Sequence, residues 1–498
     1  MELQFQKQPL PGLQLLKQDI RCLEETQELR LSDGMPDVGR VLGAWGQVLL
    51  RSKEWRSGSA HISGGVQAWI LYIPEEGGTA QCVETWIPFH VKWDLPQTPT
   101  DGTLVTECML RSADARSTAS RKMIVRVHVN VTAQMWLPTQ SDQYVPGELP
   151  EDIRLLQCTE PVCLPSETGE KPFALEEELT IPASSPQIEK LMYYRMQPEI
   201  LECKIMTDKL VFRGAVMLHI LYRSQDGRLY PWDAELPFSQ YAELEREYDP
   251  GSCAWIFPAV TSMEADVDME SRVRLKIGLT GQYVICGQSL LTRIQDAYSP
   301  VREVAVQTDM MELPTVLDEQ QLALTAEQTL QTCGPVIDVV FLPEPSYLER
   351  AAGDSVLQMS GRFQVLSCDE NDQMQTSMVH WDGRCPVGTG EGTSALTAVK
   401  VIGRPQVIYD GSAVQLRAEV LSDERILSDG GLPMVTGLQL GQPAEPDPNR
   451  PSLILRRAGE NTLWEIAKST GSTVEAIMEA NQLDAQPEPE RMLLIPVI

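Results

Sequence analysis

The apolar and polar positions of this chain alternate in long runs. Lys122-Met-Ile-Val-Arg-Val-His-Val-Asn-Val-Thr has a period of two, and so does Ser271-Arg-Val-Arg-Leu-Lys-Ile-Gly-Leu-Thr. Such alternation turns one face to a core and the other to water, so both segments read as half-buried β-strands. Tyr222-Arg-Ser-Gln-Asp226-Gly227-Arg-Leu-Tyr230 reads as a hairpin. Its Asp-Gly supplies the positive φ angles of a tight turn between strands. Glu75-Glu-Gly77-Gly78 has the same form.

The strand pattern repeats. Glu28-Leu-Arg-Leu-Ser-Asp-Gly-Met-Pro36 aligns without a gap on Glu178-Leu-Thr-Ile-Pro-Ala-Ser-Ser-Pro186, 150 positions on. The same offset places Gly64 on Gly214, and Ile70-Leu71-Tyr72 on Ile220-Leu221-Tyr222. Pro88-Phe89 falls on Pro237-Phe238 at offset 149, and Val125, Val127, Val129 and Val131 fall on Val273, Leu275, Ile277 and Leu279 at offset 148. Single-residue deletions in turns produce such drift. A fainter third copy runs through Gly334-Pro335, Phe363-Gln-Val-Leu and Val414, Leu416, Ala418 and Val420. Copies of this length exceed any solenoid period, so tandem domains are expected. Strands joined by hairpins, each with one buried face, stack most simply as two facing sheets, a β-sandwich.

The last stretch changes period. Leu453-Ile-Leu-Arg-Arg is a short strand. Thr462-Leu-Trp464-Glu465 is a capping-box pattern opening a helix striped by Leu463, Ile466, Ala467 and Thr470, and Gly471 ends it. Val474, Ile477, Met478 and Asn481 stripe a second helix, and Met492-Leu-Leu-Ile-Pro closes with a strand. The fold expected is therefore mainly β tandem repeats with sandwich-like domains, plus a small βααβ module. The boundaries read as 1–140 for the first repeat, 172–292 for the second, 322–436 for the divergent third and 451–498 for the βααβ module. Linkers are expected at 141–171, 293–321 and, rich in Pro, 437–450.

Length supports this division: 498 residues correspond to three or four domains of about 150. Lys+Arg 41 against Asp+Glu 70 gives a net charge of −29, which repels nucleic acid and anionic membranes. No nucleic-acid partner is expected. The N-terminus lacks a charged segment followed by an apolar core, and no run is long enough for a transmembrane helix, so residence in the cytoplasm is expected. The 11 cysteines are scattered, and Cys158-x4-Cys163 has no second knuckle for zinc; reduced, mostly buried thiols are expected.

Catalytic patterns are missing. His61, His90, His128, His219 and His380 form no ligand spacing, and His128 and His219 read as ordinary strand residues. There is no Gly-x-Ser-x-Gly elbow and no phosphate loop, and Gly388-x-Gly390 lacks a strand–helix setting. Asp266-Val-Asp268-Met-Glu270 lacks the Gly and terminal Glu of a calcium loop and reads as a solvated acidic turn. Neither enzyme activity nor a cofactor nor a metal is expected.

Two resemblances sharpen the reading. Gly459-Glu-Asn-Thr-Leu-Trp-Glu-Ile-Ala-Lys, Thr473-Val-Glu-Ala-Ile, Ala480-Asn481-Gln-Leu483 and Leu493-Leu-Ile-Pro496 resemble a LysM domain. LysM domains bind N-acetylglucosamine polymers in a groove between two loops, here Gly459–Thr462 and Asn481–Arg491. The resemblance implies docking residues Gly459, Glu460, Asn461, Thr462, Leu463, Trp464, Ile466, Asn481, Gln482 and Leu483. Trp464 and Ile466 are expected to be semi-buried. Glu460-Asn461 adds a residue to the usual turn, and Pro487-Glu-Pro-Glu-Arg replaces the usual Pro-Gly. The Ile-Leu-Tyr strand, the Asp226-Gly227 hairpin and Leu236-Pro237-Phe238 resemble the SPOCS domain of spore-coat proteins.

SPOCS repeats followed by one LysM resemble the SipL-like coat morphogenetic proteins. That resemblance implies a mother-cell protein at the forespore and spore coat surface. Its implied partners are the coat-basement ATPase, stage IV sporulation protein A, and other coat proteins. Three functions follow: a coat assembly adaptor, a peptidoglycan-binding protein of cortex or wall, and a wall hydrolase targeted by its LysM. The last needs a catalytic group that the repeats do not offer.

Overall fold

The computed structural model describes residues 2–95, 101–268, 270–331, 334–351, 354–388, 393–410, 413–428, 430–443 and 451–498. After a short β1 (Glu2–Gln4) come β2 (Gln6–Arg30), β3 (Val38–Arg56), β4 (Ser59–Pro74), β5 (Gln81–Asp94), β6 (Thr103–Ala119) and β7 (Lys122–Val145). They make two antiparallel sheets, ordered β2-β7-β6 and β3-β4-β5.

The order then recurs. β8 (Arg154–Thr180), β9 (Ile188–Met206), β10 (Lys209–Ser224), β11 (Leu229–Glu243), β12 (Cys253–Val267) and β13 (Arg272–Tyr298) form β8-β13-β12 and β9-β10-β11. Next come β14 (Arg302–Glu312), β15 (Val316–Gln331), β16 (Val336–Pro343), β17 (Tyr347–Ala351), β18 (Asp354–Cys368), β19 (Met374–Val387), β20 (Thr393–Asp410), β21 (Ala413–Ser428) and β22 (Gly431–Pro443). Among these, β15-β21-β20 repeats the first kind of sheet, and β16-β18-β19 the second, with β17 added beside β18. The alternating valines of the sequence lie on β7 and β13, the middle strands of equivalent sheets, and Val125 to Val131 and Val273 to Leu279 are buried.

The sequence landmarks have matching physical jobs. Tyr72 donates its hydroxyl to the carbonyl of Pro36 at 3.0 Å, and Tyr222 does the same to Pro186 at 3.1 Å. Each bond ties the centre of a sheet to the loop that enters it. A Cβ on Gly64 would lie 2.4 Å from the Leu49 carbonyl oxygen and 2.7 Å from the Phe89 ring; on Gly214 it would lie 2.0 Å from the Glu199 oxygen and 2.7 Å from the Phe238 ring. Only glycine admits so close an approach of backbone and aromatic ring.

The expected linkers differ from the structure. Most of 141–171 belongs to β7 and β8. Pro161, Pro165 and Pro172 oppose Leu290, Cys286 and Thr280 within β8, which is the edge of its sheet. An edge strand tolerates a residue without an N–H, so the prolines mark an edge and not a tether. Residues 293–321 are likewise the end of β13, all of β14 and the start of β15. Val304 and Val306 there oppose Leu440 and Leu438, a pairing set by tertiary contact across the chain. Of 437–450, residues up to Pro443 complete β22, and 444–450 lie outside the described residues. Gly-x-Gly at 388–390 also extends outside them, as does Cys333.

The three units pack on one another. Leu13, Val105 and Trp136 of the first share one buried cluster with Trp255, Phe257 and Val284 of the second and Leu396 and Leu427 of the third. Trp45 stacks on Tyr193 at 5.0 Å between the first two units, and Gln364 of the third donates to the Ala44 carbonyl at 2.7 Å. A last sheet, β1-β22-β14, gathers the N-terminal strand and the two flanks of the third unit.

Candidate functional site in the C-terminal module

β23 (Leu453–Arg457), α1 (Leu463–Thr470), α2 (Val474–Asn481) and β24 (Met492–Pro496) follow in β-α-α-β order. Each helix boundary has a chemical cause. Thr462 accepts from the Glu465 N–H, and the Glu465 carboxylate accepts from the Thr462 N–H at 2.8 Å, a complete capping box. Gly471, at φ 65°, ends α1 in the left-handed conformation. Thr473 caps α2, and Gln482 ends it at φ 50°.

The implied docking residues divide by this geometry. Leu463, Ile466 and Leu483 are buried with Ile477, Leu493 and Ile495, so their side chains build the core. Ile466 is fully buried, not semi-buried, because it faces α2 and the sheet. Asn481 is a clamp: its Nδ2 donates to the Ile477 and Leu494 carbonyls at 2.8 and 2.6 Å, and its Oδ1 accepts from Leu494 N–H at 2.7 Å. Gly459, Glu460, Asn461, Thr462 and Gln482 line the loop end, where Asn461 is half-buried and the other four are exposed.

That loop end is tied shut from within. Gly459 donates to the Pro489 carbonyl at 2.8 Å. Gln486 bridges the two loops: its Oε1 accepts from the Leu463 N–H at 3.1 Å, and its Nε2 donates to the Asn461 carbonyl at 3.0 Å. Around it Glu460, Asp484, Glu488 and Glu490 are exposed. The rim is acidic, with Arg491 donating to the Asn481 carbonyl at 2.9 Å.

Trp464 points the other way, at the β-units. Its indole meets the Tyr298 ring edge-on with centroids 4.7 Å apart, and its Nε1 donates to Asp296 at 2.8 Å. Lys468 donates to both oxygens of Asp296 at 2.8 Å, and Tyr298 donates to the Ser472 carbonyl at 3.1 Å. Burial by itself raises the Asp296 pKa; the bonds from Lys468, Trp464 and the Ala297 N–H outweigh it and hold the carboxyl below its ordinary value. Trp464 is thus an internal dock, not a free ligand contact. Asp296, Tyr298 and Gln486 carry no local sequence signal; the partners of Trp464 lie over 160 residues away.

Elsewhere the candidates of the sequence are engaged structurally. His219 bonds Asp233 at 2.7 Å and Asp338 at 3.2 Å between the second and third units. Asp268 accepts the N–H groups of Glu270 and Arg272 at 2.9 and 3.0 Å, which shapes a turn and lowers its pKa. His61 and His90, 29 residues apart in sequence, approach to 3.2 Å across β4 and β5.

With sheets, caps and loops in view, the chain is a mainly β protein ending in a small βααβ binding module. Comparison with known proteins is specific for two segments. Residues 187–269 match the family model described as SipL, SPOCS domain, and residues 457–496 match the LysM domain. The chain therefore carries a SipL-type SPOCS domain and a C-terminal LysM domain, the pairing of a sporulation protein with a peptidoglycan-type binding module. Both are non-catalytic binding domains. No curated protein and no solved structure gives a match. No helix among the described residues is long and apolar enough to cross a membrane.

Proposed function

We propose that this chain is a non-enzymatic assembly adaptor of the spore coat. It acts in the mother cell and attaches the coat to the forespore surface through a protein contact of its LysM domain. The partner is an ATPase of the coat basement resembling stage IV sporulation protein A, and other coat proteins dock on the β-units. We also read the units at 6–145, 154–298 and 316–428, six-stranded in the first two and with β17 added in the third, as tandem copies of the SPOCS domain. Their common strand order supports this, as do the paired Tyr–Pro bonds in the first two.

The observation that carries the protein-docking reading is the Gln486 bridge. The Leu463 N–H and Asn461 carbonyl are already satisfied inside the chain. A sugar acetamide would have to displace the bridge and so break two hydrogen bonds that the loop end already makes. The acidic rim also repels the carboxylates of an anionic wall polymer. The second reading, a peptidoglycan-binding protein, is favoured by the LysM match itself.

The test compares two captures by the full chain: the purified coat ATPase, and sedimentation with purified peptidoglycan. The expected result is ATPase capture, weakened by Glu460→Lys or Glu488→Lys with an unchanged melting temperature. Sedimentation with peptidoglycan without ATPase capture gives the second reading instead.

A further inference from the structure

We propose that the cavity where the three β-units meet binds a small oxyanion, a carboxylate or phosphate compound, through Arg195 and Arg425. The inference is independent of the LysM reading. The cavity is about 350 Å³ and takes its walls from β3, β6, β9, β12, β20 and β21. Its mouth includes the exposed Leu201, Glu202 and Cys203, so a solute can enter.

The two arginines reach this space with unspent donors. Among the described residues, Arg195 Nε and Arg425 Nε and Nη1 are buried with no hydrogen-bond partner. Native interiors rarely leave such donors unmade, because each costs its full desolvation. Burial depresses the Arg195 pKa to about 10, and no neighbouring charge offsets it. The Arg425 guanidinium is held over Trp255 at 5.2 Å and Phe257 at 5.5 Å, which fixes its plane but satisfies none of its N–H groups.

Four carboxyl groups line the cavity, and one of them, Glu202, lies exposed at its mouth, 3.8 Å from Arg213. Asp423 is engaged by Lys400 at 3.1 Å and by Gln321 at 2.7 Å. Glu199 accepts from Gln197 at 3.1 Å, and burial raises its pKa. Burial pushes Glu107 up to about 7 even with Arg425 nearby, so it is a poor standing counter-charge. What remains is two guanidinium groups with unpaired donors that line one open volume. Their planar donors match carboxylate or phosphate oxygens in pairs. Arg195 also borders a second cavity of about 320 Å³, but His219 and Asp233 there already bond each other.

Isothermal titration of the full chain with citrate in one arm and inorganic phosphate in the other tests this. Saturable binding of at least one probe is expected, with a rise in melting temperature. Arg195→Gln and Arg425→Gln should each weaken it about tenfold or more. Arg404→Gln, beside the second cavity and paired with Asp233 at 2.9 Å, should leave it unchanged. Binding of citrate alone assigns a carboxylate ligand, and of phosphate alone a phosphate. The proposal is overturned if neither probe binds the wild-type chain, even where the glutamine variants are more stable. It is overturned equally if binding persists in both folded variants.

Discussion

The β-units and the C-terminal module solve the same problem with very different means. The largest apolar cluster of the β-units runs from Leu31 to Leu366 and draws buried side chains from all three. The module's cluster has nine buried residues, and one of them, Tyr298, belongs to the second β-unit. A domain of under 50 residues buries too small a fraction of its surface to have stability in reserve. Borrowing an aromatic from its neighbour adds to the core without adding to the module. The difference teaches that the module's orientation is part of its stability: α1 is fixed against the body, and the loop end is left outward.

The largest expected effect tests whether the two regions unfold separately. Trp45→Ala removes a side chain buried between the first two units and stacked on Tyr193, and should cost about 3–5 kcal/mol. Ile466→Ala should cost about 2–5 kcal/mol, but within the module alone. Calorimetry should show the first variant lowering the main transition and the second losing only a small early one. A single transition lowered equally by both would merge the two regions into one cooperative unit.

The two regions also differ in how much of them could be read from sequence. Alternation at Val125–Val131 and Val273–Leu279 exposed the repeat because a sheet's middle strand is buried on one face along its whole length. The caps at Thr462 and Gly471 were legible because capping is local chemistry. Edge strand β8 was hidden by its prolines, and β14 by its dependence on a partner more than 120 residues away. The family match at 187–269 falls on the copy with the clearest landmarks. At the module, the sequence indicated the loop end and a semi-buried Trp464, which the structure has, but counted that tryptophan among the docking residues without its partners in the second β-unit. Nothing near it announces Asp296, and a half-buried tryptophan looks alike whether it awaits a ligand or already touches its own chain.

A smaller effect bears on that contact. Asp296→Asn should cost about 1–2 kcal/mol of docking by weakening the bonds to Lys468 and Trp464. Hydrogen exchange should then quicken in α1 while β9 and β10 stay protected. The pH dependence has a definite sign. The folded pKa of Asp296 lies below its unfolded value, so its contribution is fully present above the unfolded pKa and is lost as pH falls through the folded one. Docking should therefore hold from neutral pH down to about 4 and weaken below it. The asparagine variant should lose that acid limb.

The smallest effect tests the equivalence of the copies within the body. Tyr72 and Tyr222 are both fully buried rings whose hydroxyls reach a loop carbonyl at 3.0 and 3.1 Å. In both, burial raises the hydroxyl pKa, so the group stays a neutral donor through the physiological range. Removing the hydroxyl leaves the ring packing intact and orphans one carbonyl, at a cost of about 0.5–1.5 kcal/mol. Tyr72→Phe and Tyr222→Phe should give equal losses, and because the sites share no bond the double variant should lose their sum. The hairpins themselves are tied alike in the second and third units: Asp226 accepts from the Arg228 N–H at 2.9 Å after β10, and Asp369 from the Asn371 and Gln373 N–H groups at 2.8 Å after β18. Urea titration resolves differences of this size when the slopes agree. Equal, additive losses mean that each Tyr–Pro bond anchors its own unit in the same way. A loss confined to one tyrosine would mean that one bond is redundant with packing between units, and that the repeat is geometric without being energetic.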